Sequence, residues 1–100
     1  CAAPALAASI TYEGEDAARL KCAAMLSLSS NFARAAGRIA PDVQAKSRAA
    51  VAQLLAPLPG SGADKARAMQ AMADRIMLRA DPDALRREFE QTLPACGKFF

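Results

Sequence analysis

Between Glu15 and Gly37 or Ile39 the apolar positions Ala17, Ala24, Leu28, Phe32, Ala35 and Ile39 recur at spacings of three, four and seven. Asp16, Arg19, Ser27, Ser30, Arg34 and Arg38 fall on the other side. That period belongs to an amphipathic helix. Met25, Leu26, Ser29, Ala33 and Ala36 widen the apolar face beyond a narrow stripe, so this helix is expected to touch more than one neighbour and to lie centrally. Glu13, Glu15 and Asp16 at its start and Arg34 and Arg38 at its end complement the helix dipole.

Gly37 and Pro41 interrupt the pattern. Pro41 suits the first turn of a second helix running to about Ala56, with Val43, Ser47, Ala50, Val51, Leu54 and Leu58 facing inward. Pro57 to Gly62, PLPGSG, ends it. Ser61 followed three residues later by Asp64 has the spacing of a capping box and starts a third helix that reaches Arg79 or Ala80. Its inner face is Ala66, Met69, Met72, Ala73, Ile76, Met77 and Ala80. Asp81 reads as the N-cap and Pro82 as the first residue of a fourth helix with the stripe Leu85, Phe89 and Leu93, stopped by Pro94 and Gly97.

Four helices joined by short connections favour antiparallel neighbours, hence an all-α, up-down-up-down four-helix bundle. Composition agrees. Of the 53 hydrophobic residues in this 100-residue chain, 26 are Ala, with ten Leu, three Ile, two Val and five aromatics. Ala is the strongest helix former and β-branched residues are scarce, so a sheet is disfavoured. The same numbers predict a thin core in a single domain over residues 10–100. No segment reaches the roughly 18 consecutive apolar residues of a membrane span.

Three cysteines stand at positions 1, 22 and 96. In an up-down bundle the beginning of the first helix and the end of the fourth share one end, which brings Cys22 and Cys96 together and predicts a disulfide. The alternative is a pair of buried reduced thiols acting as small hydrophobes. Residues 1–9, CAAPALAAS, admit three readings. Ala5-Leu6-Ala7 has the small-x-small form that precedes signal-peptidase cleavage; Cys1 could instead be the lipid-bearing first residue of a lipoprotein with Ala2 to Ser9 as tether; or the segment is an ordinary tail. The first two place the domain outside the cytoplasm, where disulfides persist.

Chemistry is sparse. The chain has no His, the commonest proton shuttle. Glu13/Glu15, Asp81/Asp83 and Glu88/Glu90 are explained by helix first turns and by pairs such as Asp83 with Arg87. Ser27 to Asn31, SLSSN, sits mid-helix with no base near it and reads as a polar helix face. No catalytic residue and no cofactor are assigned. Met69, Met72 and Met77 carry soft thioethers that suit Cu(I), but their helical spacing reads first as core filling. The terminal GKFF places Phe99 and Phe100 beside Cys96, either covering the bundle end or forming a docking patch. A net charge of +3 over thirteen cations and ten anions is mixed. The basic residues Arg34, Arg38, Lys46 and Arg48, and Lys65, Arg67, Arg75 and Arg79, scatter around their helices without a nucleic-acid motif.

The layout resembles that of small bacterial periplasmic proteins, including acid-stress chaperones and immunity proteins; the likeness is architectural and carries no residue over. The expectation is a non-enzymatic protein of the bacterial periplasm or envelope that binds another envelope protein or a second copy of itself. One alternative is a carrier of soft metal or small apolar ligand on the Met-rich third helix. Another is a cytoplasmic nucleic-acid-binding domain with reduced cysteines.

Overall fold

The computed structural model describes residues 11–79 and 81–100. The readings of residues 1–9, including lipidation at Cys1, and the inward assignment of Ala80 fall outside that range. Four helices form the fold: α1 (Gly14–Ala35), α2 (Pro41–Leu55), α3 (Gly62–Arg79) and α4 (Pro82–Ala95), followed by a 3-10 turn, Cys96–Phe99. There is no strand among the described residues. The protein is an all-α four-helix bundle.

The helix ends follow the local chemistry. At the end of α1, Gly37 takes φ +71°, its N–H donates to the Arg34 carbonyl at 3.1 Å, and the Arg38 N–H donates to the Ala33 carbonyl at 2.8 Å. This is a complete Schellman motif, and it stops the helix at Ala35, short of the Gly37 or Ile39 that the apolar period suggested. Pro41 occupies the first turn of α2. At α3 the capping box closes in both directions: the Asp64 N–H donates to Ser61 Oγ and the Ser61 N–H donates to Asp64 Oδ2, each at 3.1 Å. At α4 the Asp81 carboxylate accepts from the Ala84 N–H at 2.8 Å. Helix α4 runs one residue beyond Pro94, which was expected to end it. A proline so near the C-terminus forfeits a single ladder bond, and the chain tightens into the 3-10 turn directly afterwards.

Contacts fix the helix directions. The Arg19 guanidinium donates to the Leu54 carbonyl at 3.4 Å and the Gln44 side-chain amide donates to Asn31 Oδ1 at 3.1 Å, so α2 runs antiparallel to α1. The Tyr12 hydroxyl reaches the Pro59 carbonyl at 2.8 Å, placing the start of α3 beside the start of α1. Phe89 meets Phe32 edge to face at 6.4 Å while Cys96 is bonded to Cys22, so α4 descends along α1. The directions alternate, but the packing is not a square. Helix α1 packs against α2, α3, α4 and the 3-10 turn, whereas the sequential pairs α2–α3 and α3–α4 make few direct approaches. The wide apolar face of the first helix is realised as a hub.

The core has two parts. Cys22, Ala23, Leu54, Cys96 and Phe99 form one cluster, edged by Ala18, Leu26, Val51 and Leu55. Ala24, Met25, Ala73 and Ile76 form the other, edged by Leu28, Met72, Leu85, Phe89 and Leu93. Met69 borders both. Ala23 and Ala24 are completely buried; about 100° apart around α1, their small side chains face the two different clusters.

Several positions depart from the sequence pattern. Ser30, assigned to the polar side, is buried, and its hydroxyl donates to the Ser27 carbonyl at 3.2 Å. A hub has no fully solvated side in its middle turns, so the serine is enclosed and satisfied locally. Phe32, Ala35, Val43, Ala66 and Met77, assigned inward, are exposed. Ala35, Val43 and Met77 lie toward the end of the bundle where α1 and α3 finish and α2 begins; Phe32, at the same end, meets α4 only through the edge contact with Phe89 and stays 42% exposed. The expected Asp83–Arg87 pair is replaced by Arg86, which lies 3.7 Å from Asp83 and 3.8 Å from Glu90.

Candidate interaction surfaces

Cys22 and Cys96 are joined by a disulfide, with Cα atoms 5.8 Å apart across 74 residues of sequence. Cys22 lies not at the beginning of α1 but in its third turn, so the bridge holds the end of α4 against the body of the hub. Around the bridge, Phe99 is buried beneath the Arg19 guanidinium, 4.6 Å above its ring, with Lys98 Nζ at 5.1 Å. Arg19 was assigned to the solvated side of the first helix. Its stem is half-buried and its head serves both the ring and the Leu54 carbonyl. The two terminal aromatics therefore divide: Phe99 covers the end of the first core cluster, and Phe100 stands 59% exposed.

The three methionines of α3 are also divided. Met69 and Met72 are packed at the core margins. Met72 Sδ accepts from the Arg75 guanidinium at 3.9 Å, which sets a fixed cation beside the thioether a soft metal would use. Met77 is 42% exposed. No group of three or more His, Cys, Asp or Glu with metal-ligand geometry occurs among the described residues. In SLSSN the hydroxyls of Ser29 and Ser30 are spent on the carbonyls of Leu26 and Ser27, and Asn31 is engaged by Gln44.

Two titratable groups depart from their ordinary ranges. The Ser61 backbone N–H and then its hydroxyl hold the Asp64 carboxyl below the usual carboxylate value, against desolvation and with further help from the nearby Arg67. Desolvation, with Asp64 and Asp16 nearby, raises the Tyr12 phenol. Both groups sit where α1 begins, α2 ends and α3 starts, and their roles there are structural: Tyr12 ties to Pro59, Lys65 Nζ donates to the Ala56 carbonyl at 3.1 Å, and Asp64 caps α3. Lys21 and Glu88 make an ion pair at 2.8 Å between α1 and α4.

Among the described residues the most exposed large apolar one is Leu78, at 86%. Nine residues after Met69, it stands about half a turn out of phase with the stripe Met69, Met72, Ala73 and Ile76, so the sequence carried a signal for it that the inward stripe obscured. Met77 adjoins it. No helix of the described residues is long and apolar enough to cross a membrane. No protein-family model, curated protein or solved structure matches the chain.

Proposed function

We propose that this is a non-enzymatic helical protein of the bacterial envelope or periplasm that works by binding another protein or a second copy of itself. The observation that carries this reading is the exposure of Leu78 beside Met77 on the outer side of α3: an apolar pair turned to water gains free energy when a partner covers it. Export is supported by the Cys22–Cys96 bridge, since structural disulfides persist in oxidising compartments. The absence of His from the chain and the local engagement of the serines support binding rather than acid–base or nucleophilic chemistry.

The test is a comparison of the native chain with Leu78→Ser. Light scattering after size-exclusion chromatography reads self-association, and chemical cross-linking in envelope extract reads a partner. The native chain is expected to dimerise or to give a discrete cross-linked species, and Leu78→Ser is expected to lose it with an unchanged melting temperature. A native chain that stays monomeric and uncross-linked, or a variant that behaves as the native chain does, overturns the reading.

A further inference from the structure

A different surface, the tip formed by the end of α1, the Gly37 turn and the start of α2, carries the second inference. From Asn31 to Val43 no residue is buried, and only Ala33 and Ile39 are half-buried. The bulkiest apolar side chains exposed there are Phe32, which keeps its edge contact with Phe89, and Val43. Residues 31–48 contain four cations, Arg34, Arg38, Lys46 and Arg48, against the single acid Asp42. The other nine cations of the chain are balanced by its other nine acids, so the whole net charge of +3 is concentrated in this hairpin tip. Three cations elsewhere are held in ion pairs, Lys21 with Glu88, Arg67 with Asp64 and Arg86 with Asp83. Among the described residues none of the four tip cations forms an ion pair.

We propose that this tip docks on an anionic lipid bilayer, its cations on headgroup phosphates and Phe32 and Val43 entering the headgroup layer. Charge complementarity identifies the partner as anionic, and the remaining chemistry favours lipid over protein. The tip's directional hydrogen-bonding groups, the amides of Asn31 and Gln44, bond each other at 3.1 Å. What faces outward is four cations against the one acid Asp42, with modest apolar anchors, which suits a fluid, laterally adjustable surface. A protein interface of fixed register ordinarily sets both signs of charge against the partner. Nucleic acid would find the phosphate-binding charge but no aromatic platform beyond Phe32.

The experiment is co-sedimentation of the disulfide-bonded chain with vesicles of phosphatidylcholine alone and of phosphatidylcholine mixed with phosphatidylglycerol. Binding is expected only to the mixed vesicles and is expected to weaken with salt. Each removed cation is expected to weaken binding about fivefold, so Arg34→Gln with Arg38→Gln should lose about twenty-five-fold. Both side chains are exposed, so the melting temperature of this pair should not change. Val43→Ser should lose a further several-fold. The double variant Arg75→Gln with Arg87→Gln lowers the net charge equally on other helices and should keep most of the binding. Equal binding to neutral vesicles, equal loss in the two double variants, no vesicle binding at low salt, or a short RNA or polyglutamate bound as tightly as the mixed vesicles would each overturn the proposal.

Discussion

Ser30 and Arg19 were both placed on water by the helical period, and both are drawn into the structure by α1's having neighbours on nearly every side. A buried hydroxyl is tolerated because the Ser27 carbonyl accepts its hydrogen bond. Met25 has no solvent exposure, and Met25→Ala should destabilise the fold by about 2–5 kcal/mol in chemical denaturation. Asp64 is a local case. Its carboxylate is favoured in the folded chain, so its contribution to stability is complete above the ordinary carboxylate pKa and is lost as pH falls through its lowered folded value. Asp64→Asn should therefore melt below the native chain at neutral pH, and the gap should close on acidification through that range. A gap independent of pH would remove the carboxylate from the cap. Tyr12 works in the opposite direction. Its raised phenol pKa makes the folded state hold its proton longer, so stability falls as pH rises above about 10.

Among the elements, the helix termini were the most legible in the sequence, because each depends on two or three adjacent residues. Ser61 with Asp64, Asp81 with Pro82, and Pro41 all act where the spacing placed them. Gly37 was read as punctuation, and the structure adds that its left-handed backbone ends α1. Gly37→Ala should cost about 1–2 kcal/mol through that conformation, read as a lowered denaturation midpoint with an unchanged slope. The hub role of α1 rests on its alanines: Ala23 and Ala24 are fully buried. Ala24→Leu should destabilise by about 1–3 kcal/mol, since the added methylenes have no void to enter.

The whole molecule is held by two modest clusters around one helix and by one covalent link. A chain in which 26 of the 53 hydrophobic residues are alanine buries little apolar area per residue, so the Cys22–Cys96 bridge, which closes a loop across 74 residues, matters more here than in a larger domain. The loop-entropy account assigns it roughly 4 kcal/mol. Reduction, or Cys22→Ala with Cys96→Ala, should lower the melting temperature by about 15–30 °C in a domain of this size. A shift of only a few degrees would mean that the reduced chain keeps the clusters without help. The bridge also sets α4 on α1 through Cys96, with Lys21–Glu88 and Phe32–Phe89 as the accompanying contacts.

The sequence by itself determined the class of fold, the existence of four helices, most of their caps and the pairing of the two internal cysteines. Each follows from short-range spacing or from a connection too brief to allow another direction. Which helix lies at the centre was legible only as the unusual breadth of one apolar face. Tertiary structure decided the rest: that α2, α3 and α4 surround α1 rather than one another, that Ser30 is enclosed while Phe32, Val43 and Met77 are exposed, and that Arg19 lies over Phe99. The physical reason is that helical period fixes the direction of a side chain from its own axis. Burial depends on whether another helix extends far enough to cover it, and near the tip of the α1–α2 hairpin only the edge of Phe89 reaches Phe32.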